Sequence, residues 1–150
     1  MKSIIALTAA AAAVLAAPAA AENFTYEIRF SEPSFVGGMG EEGRDGRSGT
    51  MSGPFTSTSA SGASVSGNVT CIGMDQPDNS LFDVHFSCTA TRSDGTNTSL
   101  IYGCNWLGED MGLSCVGGAE GRDGTTEGRR GVLTMHLKEG VSTGTGQWIE

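Results

Sequence analysis

The chain has 150 residues, 23 of them glycine and four cysteine, and a formal net charge of −8. That acidity argues against nucleic acid and anionic membrane surfaces as partners, because their phosphates would be repelled. The length suits one domain with one core rather than an array of modules.

Met1-Lys2-Ser3 is a short positive start, Ile4 to Leu15 is an apolar, alanine-rich run, and Ala19-Ala20-Ala21 supplies small residues before Glu22. This is the pattern of a secretory signal peptide, residues 1–21, cut after Ala21. The run is shorter than the ~20 residues a membrane span requires. The expected mature protein is a single domain, 22–150, secreted or periplasmic and, from its alanine-rich leader, bacterial. Without Lys2 it carries eight basic and seventeen acidic residues, a charge of −9. In that oxidising compartment cysteines form lasting disulfides.

Phe24, Tyr26, Ile28 and Phe30 alternate with polar residues, which predicts a first strand with one buried face. A charged glycine loop follows over 37–49, then a weak strand near 50–60 and a turn at Ser61-Gly62. Further strands are expected at about 64–73, 82–92, 96–106 and 111–116. A second glycine-rich loop is expected over 117–131, then strands at 132–137 and 144–149. The predicted fold is all-β: a small antiparallel up-and-down barrel of about eight strands, which leaves no sheet edge open. A two-sheet β-sandwich is the alternative.

Each cysteine falls on the apolar side of its strand: Cys71 with Val65 and Val69, Cys88 with Phe82, Val84 and Phe86, Cys104 with Leu100 and Tyr102, Cys115 with Met111 and Leu113. Four cysteines allow three connectivities. Antiparallel partners have a constant index sum, and the midpoint of 71 and 88 falls in the turn sequence Pro77-Asp78-Asn79-Ser80. That of 104 and 115 falls in Gly108-Glu109-Asp110. A two-residue turn at Asp94-Gly95 would set Cys88 opposite Ile101, so Cys88 and Cys104 miss each other. The expected disulfides are Cys71–Cys88 and Cys104–Cys115.

Gly43-Arg44-Asp45-Gly46 is echoed by Gly121-Arg122-Asp123-Gly124. Paired acidic loops could hold calcium, but each offers too few clustered oxygens, and glycine serving tight loops is the preferred reading. No Cys-x-x-Cys spacing suggests zinc. No metal or other cofactor is therefore expected.

Cys115-Val116-Gly117-Gly118, then Gly121, Gly124, Gly128 and Gly131, the run Val132-Leu133-Thr134-Met135, and the closing Gly144-Thr145-Gly146-Gln147-Trp148 resemble the glycine-spaced end of the allene oxide cyclase and dirigent type of calycin-like barrel. The resemblance covers only the carboxyl third. It implies an eight-stranded antiparallel barrel with a possible cavity. Arg122-Asp123 and Thr125-Thr126-Glu127 replace the usual loop aromatic, and no catalytic residue is carried over, because the cyclase's polar residues and the dirigent acidic residues align with no position here.

Candidate site residues are few. Asp83 and His85 are two apart and would share a strand face, where Asp83 could orient His85 as a base if the lumen were polar. If the apolar side faces inward, the pair lies outside. Asp75 could add acidic character, and Tyr102, Trp106 and Trp148 are amphipathic rings suited to a cavity mouth. His136 is expected on the outer face, opposite Leu133, Met135 and Leu137. The residues favour a non-catalytic binder of a small apolar or amphipathic ligand. The alternatives are a cyclase or isomerase acting by cavity shape, and an envelope interaction or inhibitor module presenting the acidic loops 37–49 and 117–131. The binder and the cavity-shaped enzyme both predict an enclosed apolar cavity of about 300 Å³ or more, and the interaction module a filled core and an ordered acidic patch.

Overall fold

The computed structural model describes residues 21–39, 46–108 and 110–149. The expected leader and much of the first acidic loop lie outside these residues. Among the described residues nine strands run in chain order: β1 (Glu22–Arg29), β2 (Ser34–Val36), β3 (Ser48–Ser59), β4 (Ser64–Asp75), β5 (Val84–Arg92), β6 (Asn97–Trp106), β7 (Leu113–Gly121), β8 (Arg130–Lys138) and β9 (Val141–Trp148). Among the described residues no helix is long and apolar enough to cross a membrane.

Strands β3 to β9 pair in sequence, β9 pairs with β1, and β1 pairs back onto β3 (Phe24 opposite Ser59, Ile28 opposite Phe55). The sheet therefore closes into an eight-stranded antiparallel barrel, and the sandwich alternative is excluded. The ninth strand, β2, extends β3 beyond the end of β1, with Ser34 opposite Thr50. Pro54 sits on β3 where neither strand pairs with it, which suits a residue without an N–H.

Hairpin chemistry fixes the register. Between β8 and β9, Glu139 and Gly140 both take positive φ, the backbone of a two-residue turn matched to strand twist. Between β5 and β6 the turn is one residue longer than expected. The Arg92 N–H bonds the Thr96 carbonyl and Gly95 turns back to Arg92 at positive φ. Cys88 is consequently opposite Leu100, not Ile101, and still misses Cys104. The disulfides join the predicted partners, Cys71 to Cys88 and Cys104 to Cys115, each pair directly opposed across its hairpin.

Two other expectations are corrected. Residues 117–121 are strand rather than loop, since β7 keeps pairing with β6 as far as Gly121, so the second glycine loop shrinks to 122–129. Phe82 does not share the inward face of Val84. It precedes β5 and lies on the outside against Gly103, where a Cβ would come within 2.3 Å of its ring.

Inward residues form the core. Ile28, Phe86, Tyr102, Met135 and the Cys71–Cys88 disulfide meet at a tightly packed waist, and Cys104–Cys115 is buried in the same core. Above and below it the lumen opens into two cavities of different size.

Candidate functional site

The larger cavity is an apolar cup of about 320 Å³ at the end of the barrel where β1 begins. Its lining comes from all eight barrel strands, including Phe24, Phe55, Val69, Ala90, Leu100, Ala119, Leu133 and Trp148. Small residues make the space. Ala90 and Ala119 stand at inward positions where larger side chains would fill the lumen, and Gly146 makes room for the Phe24 ring, which a Cβ would meet at 2.2 Å. At the mouth the loop after β7 folds back across Gly121, whose missing side chain lets the Thr126 backbone pass. This brings Thr125, Thr126 and Arg129 to the rim.

The rim holds two cations in different states. Arg129 is paired with Glu22 at 3.3 Å and lies over the Trp148 ring, 5.3 Å from its centroid. Arg92 continues the inward alternation Val84, Phe86, Cys88, Ala90 and is three-quarters covered. Its Nη2 meets Asp94 at only 3.5 Å, and its Nε is buried with no acceptor.

Two tyrosines form the floor. Tyr26 gives its only hydroxyl hydrogen to the Thr134 carbonyl at 2.7 Å, so in the 3.0 Å contact between the phenols Tyr102 is the donor. Gly144 permits this: a Cβ there would lie 2.1 Å from the same carbonyl and 2.5 Å from the Tyr26 hydroxyl. Burial pushes the Tyr102 phenol up to about 12, and burial together with the facing Tyr102 raises Tyr26 as well. Both stay neutral near pH 7, so the floor supplies no general base.

Of the six residues singled out from sequence, Tyr102 and Trp148 line the cup, at floor and rim. Asp75 and Trp106 line the smaller cavity, about 200 Å³, at the opposite end. Asp75 is bound there by Arg47 at 3.0 Å. Asp83 precedes β5 and accepts the Trp106 backbone N–H at 2.8 Å, so its carboxylate ties the start of β5 to the end of β6. His85 is on the outer face of β5, in edge contact with Phe82, and the lumen is apolar, so the Asp83–His85 arrangement does not face the cavity. His136 is also outside, its Nε2 2.8 Å from the Met111 carbonyl. All four cysteines are bridged and offer neither thiolate nor metal ligand.

The residues that sequence reasoning missed are the rim cations and the small wall residues. Arg92 was visible in principle, because the alternation that places Cys88 inward also places residue 92 inward. Arg129 was not, since its position depends on the fold-back of a loop. Among protein-family models and curated proteins, no match to the chain is found.

Proposed function

We propose that the protein is an exported carrier that holds a small, largely apolar molecule in the lumen of its barrel without transforming it. The observation that carries this reading is the cup: an apolar space of about 320 Å³, open at the rim, above a packed waist. A core built only for stability would be filled, since interiors normally leave few voids larger than a water. The two tyrosines stay neutral, Asp83 and His85 lie outside, and the Glu22 carboxylate at the rim is held by Arg129 at 3.3 Å, which favours holding over acid–base chemistry in the cup. An inhibitor role draws less support. Asp123, the aspartate of the second acidic loop, is engaged by Asn97 within the fold. The paired disulfides suit export to an oxidising compartment, and a likeness to the allene oxide cyclase and dirigent barrels agrees with a cavity-bearing fold.

The test is uptake of 1-naphthylamine, a neutral dye whose emission reports an apolar site, alongside native mass spectrometry of protein purified from its own periplasm. Saturable uptake that is lost in Ala119→Phe, which fills the cup from its wall, is the expected result. A filled or inaccessible cup would give no uptake in the wild type and a clean apo mass, and the carrier reading would then be wrong.

A further inference from the structure

We infer that the cup selects a compact monoanionic amphiphile of about ten heavy atoms, its acid group on Arg92 at the rim and its apolar end against the Tyr26–Tyr102 floor. This rests on the carrier reading and adds the head group, the orientation and the size.

The head group follows from Arg92. A guanidinium N–H buried without an acceptor is unfavourable, and a carboxylate is the acceptor that best matches the fork of an arginine. The other charges at the rim do not occupy that N–H. Glu22 is engaged by Arg129 at 3.3 Å, so the two cancel. Asp94 lies on the outer side of the turn, and one of its oxygens already accepts the Thr96 N–H at 3.0 Å and hydroxyl at 2.7 Å. Arg92 therefore stands in the wall of the cup with its charge only partly answered: the covered Nε has no acceptor, and Nη2 meets Asp94 at 3.5 Å. Thr98 stands in the same lining and offers a further hydroxyl donor, whereas the Thr126 hydroxyl is given to the Asp123 carbonyl at 3.4 Å.

Orientation follows from the floor. Both phenol hydrogens are committed, one to the Thr134 carbonyl and one to the other phenol, so the bottom of the cup presents only acceptor lone pairs. An anion placed there would meet no donor, whereas an apolar terminus loses nothing. Size follows from volume. At roughly 30 Å³ per water-sized group, about 320 Å³ admits something like octanoate or an aryl carboxylate, and the waist closes the path to anything longer.

The experiment is titration of the full mature protein with octanoate, 1-octanol and hexadecanoate, read by Trp148 emission and displacement of 1-naphthylamine. Octanoate should bind at least about tenfold more tightly than 1-octanol, the low end of what a hydrogen bond to a charged group contributes. Arg92→Gln should erase that difference by lowering octanoate affinity towards that of 1-octanol, and Arg129→Gln should not. Hexadecanoate should gain nothing over octanoate. Equal binding of octanoate and 1-octanol to the wild type would overturn the head-group assignment and leave the carrier reading intact. Tighter binding with every added methylene up to hexadecanoate would overturn the size limit. Failure of 1-naphthylamine and all three ligands would instead remove the carrier reading itself.

Discussion

The two ends of the barrel are made of similar parts and use them differently. At the narrow end Arg47 bonds Asp75 through Nε at 3.0 Å and lies over the Phe35 ring, 4.5 Å from its centroid. Phe35 comes from β2, the strand outside the barrel, and Gly49 gives its ring a seat. Arginine, acid and aromatic thus close on one another, and the cavity beneath them is small. At the wide end Arg129, Glu22 and Trp148 repeat that closure at the edge of the rim, but Arg92 has no equivalent partner for its Nε. A satisfied arginine acts as a plug. Arg92 instead leaves a buried donor unanswered at the wall of an apolar space.

The contrast depends first on the waist that separates the ends, and removing it should have the largest effect. Each disulfide lies between opposed strand residues, Cys71–Cys88 in that packed layer and Cys104–Cys115 in the same core, and breaking one should cost about 2–4 kcal/mol. Cys71→Ser and Cys104→Ser are each expected to lower the melting temperature clearly under oxidising conditions, and the difference to vanish under strong reductant. An unchanged melt in either variant would mean that its bridge does not hold the core together.

The second effect distinguishes the ends directly. Arg47→Met leaves the largely buried carboxylate of Asp75 without its cation, a change expected to cost about 1.5–3 kcal/mol. Arg92→Met removes a donor that no protein atom satisfies and fills its place with an apolar chain, so its cost should be within about 0.5 kcal/mol of zero. Urea melts of the two variants measure this. Equal destabilisation would show that Arg92 is as structural as Arg47, and the two ends would no longer differ in kind.

The barrel itself was legible because its signals are local. Alternation in Phe24 to Phe30, Val84 to Cys88 and Val132 to Leu137 marks one inward face per strand, and the index sums of the cysteines specify two registers without any long-range information. What was not legible depends on distance. Strand β2 is three residues long with no alternation to read, and it exists because β3 outruns β1. The extension of β7 through Gly117-Gly118 looked like loop because glycine ordinarily weakens a strand. Here Gly117 lets the Tyr102 ring pack inside, where a Cβ would meet it at 2.7 Å. For the cup, two of six candidate residues face it, both aromatic. The acids were chosen for their chemistry, while their positions belong to the narrow end and the outer face. Inward glycine and alanine, together with an inward arginine, were the better signal, because in a closed barrel empty volume is set by what the strands leave out.

The smallest effect concerns acid. The wide end is fastened by Asp123, whose carboxylate accepts the Asn97 backbone N–H at 2.6 Å and its side-chain amide at 3.0 Å, tying the 122–129 loop to the start of β6. The Asn97 side-chain and backbone hydrogen bonds hold the Asp123 carboxyl below its ordinary 3.8, and the Thr96 bonds do the same for Asp94 in the neighbouring turn. A carboxyl depressed in the folded state adds stability above its unfolded pKa and loses it as pH falls through the lower folded value. These contributions should therefore be complete at pH 5 and decline below about pH 4. Because Asp94 is exposed and Asp123 only half-buried, the change should be local: amide exchange at Asn97 should accelerate on acidification before the global urea midpoint moves. Asp123→Asn should make exchange at Asn97 faster at pH 6 and flatten its acid response. Exchange at Asn97 that accelerates only together with that of the waist residues would mean that the rim loop is not an independently opening element and that the wide end is held as firmly as the narrow one.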